Sequence, residues 1–221
     1  MLTLNAKNLT LNEVHHFLKL DRLPSGSFNA FLTLESVTES KQRELQAIWL
    51  DFDSYLSDGR VSEGAVKLLT LAPLLRLANF YDAPIKLITE DSLNIATEDE
   101  ETTISGRMDI LVVNKEIQNA HKFAFWILVI EAKNSTLEVR EGLPQLLSYA
   151  YTSLEQQPFV CGLVTNGLRY QFVHLRQGNP PTYQLMPELN LFESDRAMLL
   201  LQVLKAICKL QSSYTPAVPV A

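Results

Sequence analysis

A run of apolar residues that ends abruptly in charge is the part of this sequence best equipped for chemistry. Residues 125–130 read Phe-Trp-Ile-Leu-Val-Ile, and Glu131-Ala132-Lys133 follows at once. Such a run fits a strand buried on both faces. The two-residue period of a strand puts Glu131 and Lys133 on one face and Ala132 on the other. A second apolar run, residues 110–113, opens on Asp109 in Gly106-Arg107-Met108-Asp109. If the two runs pair antiparallel about the polar turn near residues 115–122, Asn114 faces Trp126 and Asp109 lies opposite Glu131. Carboxylates about 4 Å apart repel by roughly 4 kcal/mol at an effective dielectric near 20. The pair therefore calls for a cation, and hard oxygen ligands with water suit Mg²⁺. Further on, Gln145 and Tyr149 stand four apart and share a helix face. The polar edge of that helix should overhang the carboxylate end and bring Gln145 to Glu131 and Lys133, with the Tyr149 ring partly buried and its hydroxyl accessible. The bland alternatives are a salt bridge at a strand end and a polar helix edge.

Asp109, then Glu131-x-Lys133, then a helix carrying Gln145-x-x-x-Tyr149, resembles the PD-(D/E)XK nuclease superfamily. The set looks most like the nuclease domain near the N-terminus of type I restriction R subunits, and the likeness covers residues 60–177. It implies that Asp109 and Glu131 bind Mg²⁺, with Mn²⁺ as a substitute and the Ala132 main-chain carbonyl as a further ligand. It also implies that Lys133 activates water or stabilises charge. The Gln-x-x-x-Tyr helix marks a subset that includes type I restriction subunits and recombination exonucleases. Met108 stands where the name-giving Pro often stands, a position that varies in the superfamily. Glu63 falls in the first turn of an earlier helix. There it is either a favourable charge at the helix N-terminus or a third metal carboxylate, which related nucleases often take from their first helix. Arg107 points away from Asp109 and reads as a surface partner of the acidic stretch 90–103, with a phosphate contact as its second reading. Arg140 could also track backbone phosphate.

The function implied is metal-dependent hydrolysis of phosphodiester bonds, with DNA as the expected partner. The alternatives are a non-catalytic nuclease-fold domain that binds nucleic acid or protein, a metal enzyme on another substrate, and a chance pattern on an unrelated α/β domain. Without a translocase domain in view, the chain is expected to act alone, as a homodimer, or with a separate specificity or translocase subunit.

The 221 residues are enough for one large domain with its own core. Net charge is −6 and the pI about 5.3, which argues against a general nucleic-acid coat protein. A locally basic groove is still compatible with that balance. Cys161 and Cys208 both lie in apolar runs and read as buried free thiols of a reducing compartment. No apolar stretch reaches the roughly 18 residues of a membrane span, and the chain reads as cytoplasmic.

The elements that must position these residues give an α/β chain, a restriction-endonuclease-like α/β/α sandwich with a central mixed sheet. Residues 1–59 read as a helical N-terminal extension packed on a 60–215 core, and 216–221 as a frayed tail. Helices are expected over 13–20, capped by Asn12, then over 40–56, and over 61–79 with Pro73 kinking or splitting it. Another is expected over 137–154 with a Ser135/Glu138 capping box, a late start or kink being possible at Pro144, and a C-terminal helix over 194–210. Residues 31–34 and 84–88 read as strands, 90–103 as a loop or loose hairpin arm, and 104–113, 124–131, 160–165 and 170–175 as the sheet. Asn166-Gly167 is a hairpin turn. His15-His16 reads as solvated helix surface, and Phe125 and Trp126 as core.

Overall fold

The computed structural model describes residues 2–96, 102–118 and 124–213. The expected tail, residues 97–101 of the acidic stretch and residues 119–123 of the expected polar turn lie outside them. Strand β1 (Leu2–Asn5) leads to helix α1 (Leu11–Leu18), strand β2 (Asp21–Arg22), helix α2 (Glu39–Ser57) and helix α3 (Glu63–Val66). The coil of α3 continues through a π turn, Lys67–Leu71, into α4 (Ala72–Leu77). Pro73 therefore does not split the coil, which carries on past it to Leu77. Proline lacks the N–H that would bond four residues back, and the chain has already widened there, with the Ala72 N–H bonding to the Lys67 carbonyl.

Strands β3 (Ile85–Thr89), β4 (Ser92–Ala96), β5 (Thr102–Arg107), β6 (Ile110–Gln118) and β7 (Ala124–Ala132) follow. Helix α5 (Leu143–Tyr151) then crosses to β8 (Phe159–Thr165), β9 (Arg169–Arg176), β10 (Thr182–Leu185), β11 (Leu189–Asn190) and α6 (Ser194–Ser213). The large sheet runs β2-β10-β9-β8-β7-β6-β3, with β11 beside β9. It is mixed: β7–β8 and β10–β2 are parallel, the other pairs antiparallel. The β7–α5–β8 crossover is what permits the central parallel pair. A small second sheet runs β1-β5-β4.

The alternation of β7 sorts its side chains into two cores. Leu128, Ile130 and Ala132 join the core under α2, α4 and α6, while Val129 joins Leu111, Val113 and the α1–α5 core on the other face. Helices cover both faces, so the fold is an α/β sandwich around a mixed sheet, closed by the C-terminal helix. Among the described residues no helix is long and apolar enough to cross a membrane.

Several local expectations are corrected. The 104–113 run is two strands in two sheets. It breaks at Met108-Asp109, where Met108 N–H bonds to Asp91 O (2.9 Å) and Glu90 N–H to Asp109 O (3.2 Å). Within the acidic stretch β4 and β5 pair antiparallel, in keeping with the hairpin-arm reading, and β1, unanticipated, pairs parallel with β5. Residues 1–59 thus add β1 and β2 to the two sheets besides their helices. Residues 31–34 are irregular after a 3₁₀ turn, Phe28–Ala30. Thr10, not Asn12, caps α1 in a box with Glu13. Ser135 bonds to Val61 instead of capping a helix. Glu138 and Glu141 form the box at a 3₁₀ turn, Val139–Gly142, and α5 starts late with Pro144 in its first turn. His15 is half-buried against the Tyr183 hydroxyl at 2.9 Å. Both cysteines are free and buried.

Candidate active site

The register Ile110↔Ile130 sets Asp109, one residue before β6, beside Glu131 at the end of β7. The pairing slips by one residue beyond Val112, at a bulge, so Asn114 meets Phe125 and not Trp126. The irregularity lies away from the carboxylates. Asp109 and Glu131 share the strand parity of Leu111 and Val129, so both project on the α5 side.

Four polar side chains expected from the sequence meet there. Lys133 Nζ donates to Glu131 Oε1 at 2.7 Å and to Gln145 Oε1 at 3.0 Å. The Lys133 main chain is held by its N–H on Thr165 O at 2.7 Å. An ammonium has three N–H donors, so these bonds leave one proton of Lys133 uncommitted. Asp109 Oδ2 accepts from the Ala132 N–H at 2.7 Å. Glu131 is only 2% exposed, and its Oε2 is buried with no hydrogen-bond partner. Burial first, and the Asp109 charge second, push the Glu131 carboxyl above the usual carboxylate range, against the pull of Lys133. A buried carboxylate oxygen facing another carboxylate is stable only beside positive charge.

Tyr149 departs from expectation. Its ring is fully buried, and its hydroxyl accepts from the Arg107 N–H at 3.0 Å. Burial pushes the phenol up to about 12. The ring lies directly on Gly106, where a Cβ would overlap it. Tyr149 therefore ties α5 to β5. Gln145 is also buried, not half-exposed. Arg107 pairs with Glu90 at 3.3 Å, as a surface partner of the acidic arm. Arg140 is exposed in the 3₁₀ turn before α5.

Glu63 reaches the site only through a residue the sequence reading passed over. Lys67 Nζ lies 2.5 Å from Asp109 Oδ1 and 3.2 Å from Glu63 Oε1. Burial works against that ammonium, but Asp109 and then Glu63 outweigh it and raise its pKa. The spacing of Glu63 and Lys67, four apart on a helix, was the available signal. Gly142 is the other missed position. A Cβ there would lie 2.6 Å from Val164 Cγ1 and 3.1 Å from Lys133 Cε, so glycine lets the 3₁₀ turn close over the lysine.

The donor set suits a hard divalent cation. Glu131 offers the unpartnered oxygen, and Asp109 has lone pairs beyond its two hydrogen bonds. Among the described residues no three acidic, His or Cys side chains are gathered as a ready cage. This agrees with Glu63 standing behind Lys67. Such an ion usually keeps several waters and takes one or two carboxylates.

A cleft of about 360 Å³ opens beside Lys133, lined by Lys7, Arg60, Ser62, Glu63, Asn134 and Glu141. A larger groove, about 530 Å³, lies between α2 and α6 around Trp49 and Phe192. It contains no residue of the converging set, whereas the smaller cleft reaches that set through Lys133 and Glu63.

No family model and no curated protein matches the chain. Among solved structures it is similar to a fragment assigned to the HsdR subunit of a type I restriction enzyme from Vibrio vulnificus YJ016. The TM-score is 0.38 and the identity 19%, over 65% of this chain and 26% of that one. The chain thus spans about a quarter of that neighbour's length.

Proposed function

We propose that this chain is a divalent-metal-dependent nuclease that hydrolyses phosphodiester bonds in DNA. The observation that carries the reading is the convergence of Asp109, Glu131, Lys133 and Gln145 at one buried end of the sheet, with one Lys133 proton left to give. The resemblance of the same residues to the PD-(D/E)XK pattern supports it.

Asp109 and Glu131 would hold the ion, with the Ala132 carbonyl as the further ligand the resemblance implies. When bound, a divalent ion polarises a phosphate oxygen and lowers the pKa of a coordinated water. The chain's residues supply the rest. Gln145 and Glu131 fix the Lys133 ammonium by two bonds, so its third N–H points in a set direction. That proton orients the attacking water or meets charge developing on the phosphate, and a donor fixed in advance has little reorganisation left to undergo. Lys7 and Arg60, on the wall of the cleft beside Lys133, would meet neighbouring phosphates. Tyr149 holds α5, and with it Gln145, against β5.

The test is cleavage of labelled linear and circular DNA, and of RNA, with Mg²⁺ or Mn²⁺ and with chelator. Cleavage should require the ion, and Lys133→Ala should lower it by a factor of order a hundred. DNA binding without ion-dependent cleavage would instead favour a non-catalytic nuclease-fold domain.

A further inference from the structure

The geometry points to a centre that takes one divalent cation, because the Lys67 ammonium already fills the place of a second. The inference rests on the nuclease reading only in taking a divalent ion as the ligand of Asp109 and Glu131.

Three carboxylates line this end of the sheet, and they are not equivalent. Glu63 and Asp109 are bridged by Lys67 Nζ, at 3.2 and 2.5 Å. Glu131 is bridged by Lys133 on one oxygen, while its second oxygen is buried and unpartnered. The unpartnered atom marks where a ligand is still wanted. The Glu63–Asp109 gap marks where one is already supplied. In centres with two ions the metals stand about 3.5–4 Å apart and share a carboxylate between them. Asp109 is the only one of the three carboxylates that touches both the Lys67 ammonium and the β7 end through Ala132, so it is the carboxylate such a pair would share. A second ion on its Glu63 side would have to displace the ammonium or sit against it.

The local fold favours retention. Lys67 begins the π turn that precedes Pro73, one turn after Glu63, and its side chain is 24% exposed. A π turn widens the coil and commonly marks a functional position in a helix. Here it aims a lysine from a helix into the carboxylate end of a sheet. Lysine is a compact point charge with three donors, able to stand in for an ion between two carboxylates.

The experiment is Mn²⁺ titration of the full chain by calorimetry, with electron paramagnetic resonance of the loaded protein. The variants are Lys67→Met, Lys67→Gln and Lys67→Arg, each checked for folding by circular dichroism. The parent chain and Lys67→Arg should bind one Mn²⁺ and give the spectrum of an isolated ion. Lys67→Met and Lys67→Gln should bind two, with the multiline pattern of spin-coupled ions. Two coupled ions in the parent would overturn the inference whatever the variants do. One ion in a folded Lys67→Met or Lys67→Gln chain would overturn it while leaving the nuclease reading intact. No ion in any chain would remove this inference and the metal of the nuclease reading together.

Discussion

The two ends of strand β7 both bury polar side chains, and they treat them in opposite ways. At the start of the strand Gln157 is buried, and every polar atom of its amide is used. Its Oε1 accepts from Trp126 N–H at 2.8 Å, and its Nε2 donates to Trp126 O at 2.9 Å and Phe159 O at 2.6 Å. His174, nearby on β9, stacks on Phe31 at 4.2 Å and meets the edge of Phe159. Burial, with Arg176 adding to it, lowers its pKa to about 4, so it is held neutral. At the other end Glu131, Lys133, Asp109 and Lys67 are ionisable side chains, and the partners do not close: one carboxylate oxygen has none. Closed neutral networks specify structure. An open charged one costs stability, and the fold tolerates it where something else completes it.

Breaking the charged end should give the largest effect. Asp109→Ala is expected to lower cleavage by a factor of order a thousand, from the loss of several kcal/mol of charge stabilisation. It should also weaken Mn²⁺ binding in calorimetry. Equal binding by the variant would move the ion away from Asp109.

Breaking the closed end should do the reverse. Gln157→Ala leaves three backbone groups without their partner and should cost about 3 kcal/mol in urea unfolding, since each unsatisfied group costs about 1–3 and some regain water. Mn²⁺ affinity should not move. A shift in metal binding as large as the loss of stability would mean that the two ends are coupled.

A pH scan sharpens the comparison. The folded pKa of His174, about 4, lies below its ordinary value near 6.5, so the unfolded chain takes the proton first. The stability this group contributes is fully present above about pH 6.5 and is lost as the pH falls toward 4. Between pH 7 and pH 5 the loss should be roughly 2 kcal/mol. His174→Phe should flatten that part of the urea midpoint curve. An unchanged slope would assign the acid sensitivity elsewhere.

The smallest stability effect is expected for Gln145→Ala, about 1 kcal/mol, because the cleft beside Lys133 lets water replace the lost acceptor. Cleavage should nonetheless fall, because the freed ammonium no longer points one way. A variant with parent activity would reduce Gln145 to packing.

How much of this was legible in the chain follows from the range of each interaction. The two-residue period of β7 and the apolar opening of β6 were enough to pair Asp109 with Glu131, because register is set by which face must be buried. The separation of Gln145 from Tyr149 was enough to put them on one helix face, and Gln145 does reach Lys133. The same spacing misjudged Tyr149. Whether a hydroxyl is open depends on what lies above it, and there the chain brings Gly106 of another sheet. The bulge that shifts Asn114 to Phe125 left no mark in the apolar pattern, since Val112, Val113 and the β7 residues facing them are all apolar or aromatic.

Sequence alone therefore determined the periodic facts: a doubly buried strand ending in charge, the facing carboxylates, the crossover helix and the α/β class. Each arises from neighbours within a few residues or from one strand pairing. Tertiary structure decided which charges were already answered. Lys67 meets Asp109 across 42 residues, through a π turn that Pro73 permits. Gly142 admits the turn over Lys133, and β1 joins β5 from the far end of the chain. Those contacts depend on where whole elements dock, and docking is settled by burying two cores at once, a condition that no local window of residues contains.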